Sequence, residues 1–428
     1  MKSAAVAVLS VLCAALSFGR ETGAISQPVP PGPWVSLGPS GGDIRGLVRN
    51  PKSEAEMYAV SASLPSQIFR SVTSGKTWTL AGLAHDFIID LAHDPVKAST
   101  IYLLGSSGRL YKSSDAGKTY TKFSFPSSFS AYYGRIAVHP GNPNIIVVMG
   151  NSGGSLAVLK TEDGGADWTL TALLPANRYA YGWDIAFAPG NPKYIYCCGY
   201  GLTASYVNKP MVFVSKNGGA SWTNIANPAV FDSGRCLSIH VDAKDARKAW
   251  IGHTGGVART INAGSSWISQ KTRDIAEIKA LAGDLSSPSI LYAAGLGAGS
   301  VATCFKSSDG GKTWKANTSG LYGEGRRLLA DGARVFLSTG TGIYQSLNGG
   351  VSWKASHSGI RGAHIQAMAV APSSPSTLYA GIPGFPLIKT ANTGGAWTIC
   401  GKFEGNALVN NVVVHPSSPQ TILVKPSG

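Results

Sequence analysis

The chain has 428 residues, 44% of them apolar and only 14% charged, which supplies a sizeable core and excludes global disorder. Its 53 glycines and 24 prolines are too many for a helical protein and suit short strands joined by turns. A formal net charge of +15 favours anionic partners such as acidic glycans, a membrane surface, nucleic acid or an acidic protein.

In chain order, residues 1–19 carry Lys2 and an apolar run from Ala4 to Phe18 that is too short for a membrane span. Small residues at Ser17 and Gly19 make this a secretory signal, cleaved near Gly19–Arg20. Leu12 before Cys13 argues against lipidation. Residues 20–33 form a stiff, proline-rich leader containing AISQPVPPGP, and 34–428 form the folded domain. No later stretch reaches membrane-span length, so a secreted or periplasmic protein without a membrane span is expected. Cys197, Cys198, Cys236, Cys304 and Cys400 are too sparse and odd in number for a disulfide framework, and are expected to be buried free thiols. No Cys/His spacing resembles a metal site, and no cofactor is expected.

An eight-residue pattern, Ser/Thr-x-Asp/Asn-x-Gly-x-x-aromatic, runs through the remainder. Copies begin at Ser71, Ser113, Thr161, Ser215, Thr260, Ser307, Ser346 and Thr390, spaced by about 46 residues, as for four-stranded propeller blades. A second signature precedes the copies: an apolar strand, a Pro- or Asp-containing turn, then a strand ending in large apolar residues, as in LAHDPVKASTIYLLG and IAVHPGNPNIIVVMG. The boxes read as structural turns: Asp or Asn bonds nearby N–H groups, Gly supplies positive φ, and the aromatic covers the blade.

These copies resemble the Asp-box, or BNR, repeats over residues 34–426. The resemblance implies an all-β, single propeller of eight or nine four-stranded blades with Asp-box hairpins. Trp34–Leu37 would complete the last blade and close the ring. Proteins of this kind include sialidases, xyloglucanase-type glycoside hydrolases, sortilin-type receptor ectodomains and photosystem II assembly factors.

Function belongs in the loops that lead into each inner strand, which cluster at one mouth of the central channel. They hold Asp43 and Arg45, then Tyr132, Tyr133 and Arg135, then Arg178, Tyr179, Tyr181 and Trp183. Arg235 follows, then Glu277 and Lys279, then Glu324, Arg326 and Arg327. Of these, Tyr132, Tyr133, Arg135, Arg178, Tyr179, Tyr181, Trp183, Arg235 and Arg326 are the candidate ligand-binding residues. Flat aromatic faces suit sugar rings, and guanidinium groups suit carboxylates, sulfates or phosphates. Five residues before the turn proline stand Asp90, Arg135 and Asp184 on consecutive blades. Arg135 neutralises the two aspartates in a buried network, or Asp90 and Asp184 are a general acid/base pair for glycoside hydrolysis, or the column binds a ligand without chemistry.

The enzymatic resemblances are incomplete. Phe69-Arg70-Ser71-Val72 lacks the Arg-Ile-Pro motif of sialidases, and Tyr58–Ser63 has no acid where a xyloglucanase-type aspartate would fall. The leading expectation is a secreted, monomeric, non-catalytic propeller that binds polysaccharide or an acidic glycan or protein, and no nucleic acid. A glycoside hydrolase is the alternative, and an envelope protein-assembly factor, using Arg178, Arg235, Arg326 and Arg327 on its partner, is the second.

Overall fold

The second strand of each repeat is a short, nearly continuous apolar run, such as IYLLG at Ile101–Gly105, buried along its length. A strand apolar on both faces must be covered on both sides, and here the covers are the neighbouring blades. The computed structural model describes residues 41–426 apart from 175–178, 206, 233, 272–274, 285–286, 298–301, 318, 363–364, 383–385, 395 and 402–408. The signal, the leader, the Trp34–Leu37 strand and Arg178 therefore lie outside the described residues.

The protein is all-β, with eight four-stranded antiparallel sheets among the described residues, one per box. Each runs in simple order from an inner to an outer strand; blade 1, for example, comprises Ile44–Asn50, Ser53–Ser61, Ser66–Ser71 and Thr79–Ala84. The strand pair Val409–His415 and Ser418–Pro426 follows as the expected ninth, incomplete unit. Among the described residues one four-residue helix, Pro228–Phe231, interrupts the strands, and no described helix is long and apolar enough to cross a membrane.

In all eight boxes the leading Ser or Thr hydroxyl accepts a hydrogen bond from the box glycine N–H, at 2.8–3.1 Å. Those glycines have φ between 77° and 110°, where a side chain would be strained. In the second box, Asp115 Oδ1 accepts from Lys118 N and Thr119 N, while Thr119 Oγ1 donates to Oδ2. The first box has Thr73 at the Asp/Asn position, and its hydroxyl accepts from Thr77 N at 2.9 Å.

The sheets are grouped in a way the box count does not reveal. A closed ring of seven blades needs seven interfaces, and seven buried apolar clusters join blades 1 to 2 and onward to 7 to 1. The closing cluster combines Ile44, Met57, Phe69 and Trp78 of blade 1 with Phe336 and Ile343 of blade 7. Trp78 clips the seam: its N–H donates to Ser358 O and its Nε1 to Ser356 O, both at 2.8 Å. The eighth sheet instead packs on the final strand pair, through Ala371, Tyr379, Leu387, Val412 and Val414. A box marks that a blade exists; which blade lies beside it depends on side chains from both faces.

Four of the five cysteines are buried free thiols, as expected, but Cys400 is exposed near the outer edge of the eighth sheet.

Candidate functional site

The inner strands of the seven-bladed ring line a channel. Each carries a register shift near the same level: between Ile44 and Gly46, Ile88 and Asp90, Ser130 and Arg135, Gly182 and Asp184, Cys236 and Ser238, Ile278 and Ala280, and Gly325 and Arg327. A bulge leaves one residue out of the pairing and re-aims its side chain. The residues so released include Arg45, Ile89, Tyr132, Tyr133, Trp183, Lys279 and Arg326. Together with Arg135 they line a cavity of about 200 Å³ at the channel mouth.

Two different walls meet there. One is a belt of ion pairs across blades 5, 6, 7 and 1. Arg235 pairs with Glu277, Lys279 with Glu277 at 3.2 Å and with Glu324, and Arg326 with Asp43 at 2.8 Å. The other is aromatic, across blades 3 and 4. Tyr132 meets Tyr133 edge-on at 4.7 Å between centroids, and Tyr133 meets Tyr181 edge-on at 4.9 Å. Tyr181 lies 5.0 Å from Tyr200, and Trp183 is stacked near Tyr200 at 6.5 Å. Cations flank this wall: Arg235 lies 5.6 Å from the Tyr200 ring and Lys279 5.8 Å from that of Trp183. Tyr132 and Tyr133 remain 57% and 44% exposed, so their faces are open to a ligand.

Beneath the cavity lies the charged column. Asp90 pairs with Arg327 of blade 7 at 2.9 Å, and its other oxygen accepts from Ile136 N at 3.2 Å. Asp184 accepts from Ile239 N at 2.9 Å and from Ile185 N at 3.1 Å. In blade 5 Ser238 occupies the corresponding place and donates to Ile278 O at 3.0 Å. Three polar side chains thus stitch the inner strands of blades 2, 4 and 5 to the backbone of the blade that follows. Arg135 acts on both aspartates electrostatically, but the direct ion pair is not its own: Arg327 holds Asp90, while Arg135 donates to Gly134 O at 2.9 Å. Arg327 stands four residues before the Asp331 turn, which has no proline, so counting back from prolines passes over it.

Burial pushes Asp184 above the ordinary carboxylate range, although Arg327 and Arg135 oppose the shift. Burial, reinforced by Arg327, lowers Arg135 to about 10. Burial and the neighbouring Arg326 charge also lower Arg45, whose guanidinium lies 4.4 Å from the Phe87 ring centroid. Arg45 Nε, Arg135 Nε and Trp183 Nε1 are buried donors without hydrogen-bond partners among the described residues. Arg45 and Arg135 likewise form no ion pair among those residues.

Of the sequence-predicted site residues, Tyr132, Tyr133, Arg135, Trp183 and Arg326 converge on the cavity, Tyr181 backs the wall and Arg235 caps it. Tyr179 is exposed at the start of the blade 4 inner strand and does not line the cavity. Asp90 and Asp184 lie in the interblade stitch. Arg45, Ile89 and Lys279 were not separable from the other loop residues, because a bulge has no sequence signature of its own here. No cluster of His, Cys, Asp and Glu suited to a metal occurs among the described residues.

A family model described as "Sortilin, neurotensin receptor 3" matches residues 66–208. The xyloglucanase of Hypocrea jecorina (strain QM6a) is 25% identical over 342 residues, 65% of this chain. The match covers 39% of that protein, so the chain spans about two-fifths of its relative's length. Among solved structures, a GH74 enzyme from Niastella koreensis aligns with a TM-score of 0.61 at 18% identity, over 92% of this chain and 71% of that one. The GH74 xyloglucanase of Xanthomonas campestris gives 0.64 at 17%, over 90% and 71%. YCF48 from Cyanidioschyzon merolae gives 0.53 at 14%, over 74% and 98%. At these identities the solved structures show likeness of fold. With eight boxes built on one hydrogen-bond plan in an array of four-stranded blades, the chain is similar in repeat and fold to the Asp-box, or BNR-repeat, β-propellers.

Proposed function

We propose that the protein is a secreted propeller that binds polysaccharide at the channel mouth without cleaving it. The aromatic wall of Tyr132, Tyr133, Tyr181 and Trp183 carries this reading. It offers open ring faces beside fixed polar groups, the combination that recognises pyranose rings. The similarity to a xyloglucanase supports a carbohydrate ligand. The engagement of Asp90 with Arg327 and Ile136 N, and of Asp184 with backbone N–H groups, supports binding over acid/base chemistry at this pair.

Affinity electrophoresis of the mature protein in gels containing xyloglucan and other neutral or acidic polysaccharides tests the proposal. Retardation by at least one polymer is expected, weakened about ten-fold by Tyr133→Ala or Trp183→Ala, equivalent to about 1.4 kcal/mol. Unchanged mobility of parent and variants would reject it. The relationship to a xyloglucanase also favours hydrolysis as a second reading. Reducing-end release from xyloglucan that disappears in Asp184→Asn would establish that reading instead.

A further inference from the structure

The cations at the channel mouth are not all paired alike. Arg235, Lys279, Arg326 and Arg327 each form an ion pair, whereas Arg45 and Arg135, on blades 1 and 3, form none among the described residues and feel Asp43 and Glu324, and Asp90 and Asp184, only from farther away. Both line the cavity together with Trp183, and each of the three has a buried N–H that no described residue accepts. Buried donors are ordinarily paired, and a group of them around one cavity marks where an acceptor belongs. Two guanidinium groups facing one space call for an oxyanion, which accepts charge-assisted hydrogen bonds from both.

We infer that this cavity takes one oxyanion-bearing end residue of the bound glycan, a uronic acid or a sulfated sugar, held by Arg45, Arg135 and the Trp183 indole N–H. The assignment rests on the polysaccharide-binding reading and adds to it the charge and position of the recognised sugar. At about 200 Å³ the cavity falls below the roughly 300–1,000 Å³ of ordinary ligand pockets, so it receives one end group while the following sugars run over Tyr132 and Tyr133. An anion there adds to Asp90 and Asp184 in opposing the repulsion of Arg135 by Arg327, and to Asp43 and Glu324 in opposing that of Arg45 by Arg326.

The test is titration of the full mature chain, followed by calorimetry, with four trisaccharides. One ends in glucuronic acid, one has that carboxyl reduced to the alcohol, one carries a sulfate ester on the end sugar, and one has the uronic acid internal. An acid-ended probe, carboxylate or sulfate, is expected to bind at least ten-fold tighter than the reduced one at low salt. The advantage should shrink as ionic strength rises, and whichever probe wins identifies the anion. Arg45→Gln should abolish the preference while leaving weak binding of the reduced probe. If that variant misfolds, Arg135→Lys, which keeps the charge but loses the fork, should reduce the preference at least several-fold.

Equal affinity for acid and reduced ends overturns the inference while leaving the polysaccharide reading intact. Equal affinity for terminal and internal uronic acid overturns the end-group assignment. Failure of every probe, together with no retardation in the polysaccharide gels, overturns the polysaccharide reading itself. An acidic peptide that displaces the glycans and binds more tightly than any of them overturns the assignment of the anion to a sugar.

Discussion

Asp184 illustrates how one side chain can read as chemistry in the sequence and as carpentry in the fold. Its carboxylate accepts the N–H of Ile239 in the next blade, and burial raises its pKa. A raised acid holds its proton more tightly folded than unfolded. At neutral pH its charge therefore costs stability, and the cost is relieved as pH falls through the raised value. Asp184→Asn keeps an acceptor oxygen and removes the charge, so it should leave stability at pH 7 within about 1 kcal/mol of the parent, or above it. Asp184→Leu orphans the Ile239 N–H and should cost about 1–3 kcal/mol. Urea denaturation of the pair separates the roles; equal losses would mean that the charge, and not the acceptor, matters. At Asp90 the outcome differs, because Asp90→Asn removes the charged partner of the largely buried Arg327 and should cost more than Asp184→Asn, up to about 3 kcal/mol.

At the scale of elements, two devices recur: the box turn at the outer edge and the bulge at the channel. The box aspartates are held below the ordinary carboxylate value of 3.8. In Asp115 and Asp309 the first cause is the hydrogen bond from the threonine hydroxyl four residues on, and in Asp163 it is that from Thr161. A depressed acid contributes stability that is present above its unfolded pKa and lost as pH falls toward the folded one. Replacing Asp115, Asp163 and Asp309 together by Asn, the residue that other boxes already carry, should preserve the turns. It should also flatten the fall of Tm with pH below about 4, measurable by thermal melts across that range; an unchanged slope would show that acid sensitivity arises elsewhere. The boxes were legible because their whole hydrogen-bond plan is local, closing within eight residues from Ser113 to Tyr120. The bulges were not, since an unpaired residue such as Arg45 or Trp183 is defined only against the partner strand.

For the whole molecule the decisive feature is the seam between blades 1 and 7. Trp78 is 3% exposed, packs in the closing cluster and hydrogen-bonds to Ser356 and Ser358 across it. Trp78→Ala should cost about 3–5 kcal/mol. Hydrogen exchange should show the loss of protection concentrated in blades 1 and 7; a uniform loss around the ring would argue against a local seam. The same closure builds the site, because it brings Arg326 and Arg327, nearly 300 residues along from Asp43, into contact with Asp43 and Asp90. It also sets Arg45 of blade 1 across one cavity from Arg135 and Trp183.

By itself the sequence determined the strand-rich class, the eight four-stranded units and the turn chemistry of each box. It also pointed to the Tyr- and Arg-rich loops before the third and fourth blades. All of these depend on residues within one repeat of one another. Only the tertiary structure decided that seven blades share a closed ring, that Asp90 belongs to Arg327, and that Arg45 and Arg135 line one cavity with Nε donors unpaired among the described residues. Those outcomes depend on which blade faces which and on where each inner strand slips its register. Both are settled by packing between residues far apart in the chain, which no local period records.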